Sequence, residues 1–172
     1  METIERREQI LKILKNRHKP LSGSHLAEEL GVSRQVIVQD IAVLRAGGEE
    51  IFATPQGYVL TTVVKRRPRR VLATQHDSLG MLVELETIVS LGGKVIDVIV
   101  EHPFYGEIRG LLMLSNKQEI ADFLAKYSDS GAELLSALTK GAHLHTVEAD
   151  SEEALTRIAV ALREKGYLLS QV

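Results

Sequence analysis

Two histidines separated by a single residue are the clearest chemical signal in this sequence. His143 and His145 lie on a predicted strand. Since side chains two residues apart on a strand point to the same face, both imidazoles can reach one cation. Leu144 between them is then expected to point into the core. The pair alone is a weak signal, because two polar residues on a solvated face give the same pattern.

A third histidine and a carboxylate could complete such a site. His76 follows a short apolar segment, and Glu84 lies on the predicted helix that comes next. Three neutral imidazoles and one carboxylate suit a divalent transition metal, namely Ni, Zn, Fe or Co, at one ion per chain. Such a site can leave coordination positions open for a small molecule. The sequence contains no cysteine, so thiolate ligands and disulfides are excluded.

A turn in the second half of the chain carries candidate effector-binding residues. His102 begins this turn, where its ring could close over the metal, hydrogen-bond a ligand or fix the turn. Tyr105 lies in the same turn. Arg109 follows on the next predicted strand, and its guanidinium suits a carboxylate ligand. A surface ion pair is the alternative interpretation of Arg109.

The elements that must position these residues alternate between strand and helix. Alternating apolar residues predict strands, and apolar residues three and four apart predict helices. Beyond residue 70, the predicted strands are 71–74, 94–101, 107–114, 144–149 and 167–169, and the predicted helices are 78–91, 117–127 and 151–165. The order βαββαβαβ predicts an α+β fold, in which a sheet and a layer of helices form a two-layer α/β sandwich.

The first sixty residues have a different pattern, three helices followed by a hairpin. The first predicted helix covers residues 3–17, the second begins after a cap at Ser22 or Ser24, and the third covers residues 34–46. A predicted hairpin follows at residues 51–60. Gly31 permits a tight turn between the second and third helices. This order predicts a winged helix-turn-helix, in which the second helix braces the third.

The start of the third helix is the predicted DNA-reading surface. The polar residues that point outward there are Ser33, Arg34, Gln35 and Gln39. Arginine can read guanine and glutamine can read adenine, each through two hydrogen bonds in the major groove. The expected partner is therefore double-stranded DNA. A helical hairpin can also serve as a dimerisation or protein-binding module, which is the alternative.

Charge separates the two halves of the chain. Residues 1–70 contain 13 Lys and Arg against 8 Asp and Glu, whereas residues 71–172 contain 8 against 15. A basic first half suits a polyanion such as DNA. The sharpest change is the basic run 65–70. We therefore place a DNA-binding domain at 1–64, a basic linker at 65–70, and a domain for effector, metal and dimerisation at 71–172.

Composition and motifs exclude several other classes of protein. No apolar run approaches the roughly 18 residues that span a bilayer, and the charged N-terminus is unlike a signal peptide. We therefore expect a cytoplasmic protein with no membrane partner. No nucleophile motif and no phosphate-binding loop is present, so no catalytic residue is predicted and the chain is not expected to be an enzyme. A metal-dependent hydrolase that docks through its helix-turn-helix is the alternative.

Three segments resemble known families. Residues 26–35 (LAEELGVSRQ) resemble the helix-turn-helix of biotin-repressor-type regulators. Residues 94–108 (KVIDVIVEHPFYGEI) and 138–146 (LTKGAHLHT) resemble the three-histidine (3H) domain. A helix-turn-helix joined to a 3H domain is the architecture of the nicotinate-responsive transcriptional repressor family (NiaR type). The chain resembles that family over nearly its whole length.

The resemblance implies a function and a set of site residues. It implies a repressor of genes for niacin uptake and NAD synthesis, which binds a palindromic operator as a homodimer with nicotinic acid as co-repressor. It also implies that the metal is held by His76, Glu84, His143 and His145. A regulator that responds to the metal itself, without an organic effector, is the alternative within the same class.

Overall fold

The chain forms two compact units in the computed structural model, which describes residues 2–17, 19–60 and 67–169. The first unit ends at Lys65 and the second begins at Arg66. Both of these residues belong to the predicted linker and lie outside the described residues, as do residues 61–64 of the predicted DNA-binding domain.

The described residues of the first unit form three helices and a two-stranded hairpin. Its elements are α1 (Thr3–Lys15), α2 (Gly23–Glu29), α3 (Arg34–Ala46), β1 (Ile51–Thr54) and β2 (Gly57–Leu60). Ser22 and Ser33 cap α2 and α3, because their side chains accept the backbone N–H three residues on. Gly31, with a φ of 65°, allows the left-handed turn between α2 and α3. This is the winged helix-turn-helix that the sequence predicts.

A buried carboxylate joins the third helix to the first. Asp40 on α3 is 2% exposed. It accepts hydrogen bonds from Arg6 Nε at 2.6 Å and Arg7 Nε at 2.8 Å. Burial opposes ionisation, but the two guanidinium groups outweigh it and hold the pKa of the Asp40 carboxyl below its usual value. Asp40 therefore fixes the position of the DNA-reading helix on α1.

A four-stranded antiparallel sheet with helices on one face forms the second unit. Its elements are β3 (Arg69–Gln75), α4 (Gly80–Ser90), β4 (Lys94–His102), β5 (Gly106–Leu114), α5 (Lys117–Ser130), a 3-10 helix (Leu135–Thr139), β6 (Ala142–Glu148) and α6 (Glu152–Glu164). The strand order is β3-β6-β4-β5. One apolar core joins the sheet to α4, α5 and α6. The α+β class and the two layers are as predicted.

The linker before this unit ends earlier than the sequence predicts. Arg69 and Arg70 were expected in the linker, but they are the first residues of β3. Arg69 pairs with Glu148 at 2.7 Å across to β6, and Arg70 pairs with Glu152 at 2.9 Å. Composition alone does not distinguish a cation that has a cross-strand partner from one that has none.

Two further expectations differ from the structure. The predicted strand 167–169 is reduced to a single bridge between Thr74 and Leu168. Leu144 was expected in the core, but it is only half-buried, whereas His143 and His145 are 6% and 3% exposed. Val147 is fully buried and lies two residues beyond His145 on β6, so the two side chains share one face of the strand. That face, and not the face of Leu144, is the one packed against the core. The two histidines therefore face the helix layer.

Candidate functional site

Four polar side chains meet between the sheet and the helix layer of the second unit. His76 follows β3, Glu84 lies on α4, and His143 and His145 lie on β6. Glu84 Oε2 is 2.6 Å from Nε2 of His76, 3.1 Å from Nε2 of His143 and 3.3 Å from Nε2 of His145. None of the four side chains is more than 5% exposed. The structure thus brings together the four residues that the resemblance implies as metal ligands.

The other nitrogen of each ring, Nδ1, donates to a main-chain carbonyl. The three acceptors are the carbonyl oxygens of Asp77 for His76 at 2.6 Å, Gly141 for His143 at 2.8 Å and Asp97 for His145 at 2.5 Å. Because a carbonyl can only accept, each Nδ1 carries the hydrogen, and Nε2 of the neutral ring has a free lone pair. Three lone pairs then face a carboxylate, an arrangement that requires protons or a metal ion between them.

The charges of the cluster are strongly coupled. Burial raises the pKa of Glu84, but the three imidazoles outweigh burial and hold that pKa well below its usual range. Burial lowers the pKa values of His76 and His145, but the Glu84 carboxylate outweighs it and raises both above 6.5. In the metal-free cluster, the positive charge that balances Glu84 is therefore carried by protons on these rings.

The donor set fits a divalent cation. Among the described residues, the ligand atoms of His76, Glu84 and His143 all lie within 4.8 Å of one another. Glu84 Oε1 is buried without a hydrogen-bond partner, although its sister oxygen faces all three rings. A buried oxygen without a partner calls for an explanation, and a cation bound beside it is one that these donors match. The fully buried Thr74 hydroxyl lies 3.1 Å from His143 Nε2 and can donate to that nitrogen.

Because two neighbouring residues are glycines without side chains, there is room for His76. A Cβ atom at Gly80 would lie 2.7 Å from Cβ and Cγ of His76. A Cβ atom at Gly141 would overlap the His76 carbonyl oxygen, and Gly141 has a φ of 90°. The Gly141 carbonyl accepts both the backbone N–H of His76 and Nδ1–H of His143. The carbonyl of one glycine is therefore hydrogen-bonded to two of the three histidines in the cluster.

An irregularity in β4 positions the third ring. The register of β4 shifts against both neighbouring strands around residues 95–99. There the Asp97 carbonyl accepts Nδ1–H of His145, and the buried Asp97 carboxylate accepts the Thr146 N–H at 2.9 Å. A bulge frees main-chain groups from the ladder, and here the freed carbonyl orients a histidine. Sequence reasoning missed Asp97, although a single acid inside the apolar run VIDVIV is a visible signal.

The predicted effector residues have other contacts. His102 Nδ1 accepts the backbone N–H groups of Phe104 at 3.1 Å and Tyr105 at 3.2 Å, so its ring fixes the turn. Arg109 pairs with Asp97 at 3.2 Å, which is the ion-pair alternative. His102, Tyr105 and Arg109 line neither of the two cavities beside the cluster. The reason is topological, because their turn leads into β5, at the opposite edge of the sheet from β3.

The predicted DNA-reading residues lie on one exposed face of α3. The exposed polar residues of this face are Ser33, Arg34, Gln35 and Gln39. The opposite face is buried through Ile37, Asp40 and Ile41. The helix therefore has a free polar surface at its N-terminal end, which is the part that reaches base edges in this class of motif. The exposed His25 lies on α2 and is near Glu29 at 3.8 Å.

A winged helix-turn-helix with a free recognition helix, followed by an α+β domain with a buried histidine cluster, defines a two-domain DNA-binding regulator. Comparison with known families identifies both parts: residues 6–59 match the helix-turn-helix (HTH) domain, and residues 69–171 match the 3H domain. Within the described residues, no helix combines the length and the apolar character that crossing a membrane requires.

Two relatives align along almost the whole chain. The sequence is 47% identical to the Probable transcription repressor NiaR of Thermotoga maritima, over 97% of this chain and 95% of that protein. It is 40% identical to the Transcription repressor NadR of Bacillus subtilis, over 95% of this chain and 93% of that protein. The chain therefore belongs to the family of helix-turn-helix transcription repressors with a C-terminal 3H domain, and it is a repressor rather than an enzyme.

Proposed function

We propose that this repressor controls genes for niacin uptake and NAD synthesis, with nicotinic acid as its co-repressor. In this proposal a homodimer binds a palindromic operator through α3, and the 3H domain holds one divalent transition metal and senses the effector. The identity of the effector rests on the family resemblance. The metal rests on the geometry of the second unit.

The convergence of three imidazoles on one buried carboxylate is the observation that supports the metal site in this proposal. His76, Glu84, His143 and His145 would hold a Ni, Zn, Fe or Co ion through Nε2 atoms and carboxylate oxygens. When bound, the ion supplies a fixed positive charge in a water-poor site, which attracts an anionic ligand. The protein's own contribution is orientation, because each ring is already aligned through its Nδ1–H.

Repression requires a coupling between the effector and DNA. A ligand shifts a two-state equilibrium only by its differential affinity for the two states. We expect nicotinic acid to favour the dimer in which both α3 helices reach successive major grooves. A coupling free energy of about 1–3 kcal/mol would tighten operator binding roughly 5–150-fold.

The test is operator binding with and without metal and nicotinic acid. We expect the His143→Ala, His145→Ala double variant to keep non-specific DNA binding and to lose both bound metal and the response to nicotinic acid. The matched control is His25→Ala, because His25 is exposed on α2 and contacts neither cavity. Full nicotinic acid response in the double variant would refute the proposal.

A conservative variant protects this test against misfolding. Glu84→Gln keeps the shape of the side chain and removes its charge, so it should also lose metal and response while remaining folded by circular dichroism. The alternative function, a regulator that responds to metal alone, is identified by the same titration. It predicts that metal changes operator affinity fully and that nicotinic acid adds nothing.

A further inference from the structure

Two cavities lie beside the histidine cluster, and both are lined by His76, Leu134 and Ser136. The inner cavity touches the rest of the cluster and measures about 50 Å³. That space is well below the roughly 150 Å³ of a cavity that binds benzene, so it is too small for an aromatic ring. The outer cavity measures about 350 Å³, which is enough for a small organic ligand.

Lys140 supplies an uncommitted positive charge to the outer cavity. Within the part of the chain that the structure describes, no ion pair or hydrogen bond engages its ammonium group. His76, which also lines this cavity, has both nitrogens engaged, with the Asp77 carbonyl and with Glu84. The Asp77 carboxylate is engaged as well, because it accepts two backbone N–H groups at the start of α4.

The backbone of Lys140 is held in an unfavourable conformation. Its φ of 52° and ψ of 38° lie in the left-handed region, which a residue with a Cβ atom rarely adopts. Hydrogen bonds hold it there, from Gln75 Nε2 to the Lys140 carbonyl at 3.3 Å and from the Gly141 N–H to the Ser136 carbonyl at 2.8 Å. Backbone strain beside a cavity motivates the hypothesis that the side chain has a role there.

We propose that the outer cavity is the effector site and that Lys140 selects a carboxylate over the corresponding neutral amide. This inference rests on the proposed function and deepens it. The ring of the effector would lie against Leu134, Ala137 and Tyr127, which line the same cavity. Two acidic residues, Asp77 and Glu133, also line it; they repel every anion, but a doubly charged phosphate more strongly than a carboxylate with a single charge. The ligand class is therefore a small aromatic monocarboxylate.

The experiment compares nicotinic acid with nicotinamide by calorimetry on the metal-loaded, full-length protein. Lys140→Met should weaken nicotinic acid binding at least roughly 10-fold, the usual effect of losing a charge-assisted hydrogen bond. It should change nicotinamide binding by less than about twofold, and metal content should be unchanged. Lys117→Met is the matched control, because Lys117 begins α5 and lines neither cavity.

A second variant separates a structural role from recognition. Lys140→Gly relieves the left-handed strain, so its melting temperature should equal or exceed that of the wild type while its preference for the acid is lost. If both Lys140 variants keep the full preference for nicotinic acid, the inference is wrong and the proposed function stands. If the wild-type protein binds neither compound, the proposed function fails and this inference fails with it.

Discussion

Glu84 is the only acidic side chain among the four that converge in the second unit, and its Oε2 atom faces all three rings. Glu84→Gln should lower metal affinity by more than roughly 100-fold, since loss of even an outer-shell partner usually costs 10–100-fold. Competition with a chelator measures this directly. Glu86→Gln is the control, because Glu86 lies on the same helix without a contact to the cluster. Equal metal affinity in the two variants would contradict the assignment.

The pH dependence of stability should have opposite signs with and without metal. In the metal-free protein, Glu84 raises the pKa values of His76 and His145 above 6.5. Their protonated forms therefore stabilise the fold fully below pH 6.5, and this contribution is lost as the pH rises through the folded-state values. Metal requires the deprotonated rings, so its stabilising effect grows with pH.

Thermal unfolding at several pH values tests this reversal. From about pH 6 to about pH 8, the melting temperature of the metal-free second unit should fall, while the increase caused by added metal should become larger. The Glu84→Gln variant should show a weaker metal-free trend, because the carboxylate that raises the histidine pKa values is gone. A metal effect that is larger at the lower pH would contradict histidine ligation.

Sequence reasoning named the four residues of the cluster but not the groups that orient them. The spacing of His143 and His145 fixes a shared face, because strand periodicity is a local property. Asp97, Gly141 and Lys140 act through main-chain groups or through a cavity, and these depend on strand register and on contacts distant in sequence. The predicted effector residues followed from proximity along the chain, which the strand order of the sheet overrides.

The contact between α1 and α3 decides how firmly the DNA-reading helix is held. Asp40→Ala leaves the partly buried guanidinium groups of Arg6 and Arg7 without their acceptor. We expect a loss of about 1–3 kcal/mol in the free energy of unfolding of the first unit, measured in urea. Glu49→Ala is a suitable control, as Glu49 lies just beyond α3 and takes no part in this contact. An unchanged midpoint for Asp40→Ala would contradict the role given to this triad.

The exposed start of α3 should carry sequence specificity. Arg34→Ala or Gln35→Ala should each cost about 1–3 kcal/mol on the operator and much less on random DNA. Arg17→Ala, outside α3, should affect both DNAs similarly, because a contact to phosphate does not depend on sequence. Salt-dependent binding to operator and random duplexes separates the two effects. Equal losses on both duplexes for Arg34→Ala would contradict the assignment of the recognition helix.

Long elements with regular apolar spacing could be predicted from the sequence. Short elements, and those that depend on tertiary contacts, could not. The bounds of α3 and of strands β4 and β5 agree to within a residue, because their apolar spacing is regular. The 3-10 helix Leu135–Thr139 has no periodic signal, and it is closed by the hydrogen bond from Gly141 N–H to the Ser136 carbonyl. The predicted linker included Arg69 and Arg70, which belong to β3, because basic residues in a strand cannot be distinguished by composition from basic residues in a linker.

At the scale of the whole molecule, the described part of each chain contains one DNA-reading helix, and this limits what a single copy can recognise. One helix-turn-helix reads a short half-site, and two are needed for a site that is rare in a genome. We therefore expect a homodimer in solution and on operator DNA. Sedimentation velocity at several concentrations is the measurement, and a monomer in both conditions would contradict the prediction.

The three rings of the histidine cluster are aligned by carbonyl oxygens of residues 77, 97 and 141, not by neighbouring side chains. Every amino acid has the same carbonyl, so side-chain changes at residues 77 and 97 leave those two hydrogen bonds available, whereas residue 141 must stay glycine because a Cβ atom there would overlap the His76 carbonyl oxygen. The outer cavity, in contrast, is lined by side chains that substitution can change one at a time. Evolution of this scaffold can therefore alter the compound that it recognises while the orientation of its histidines is inherited unchanged.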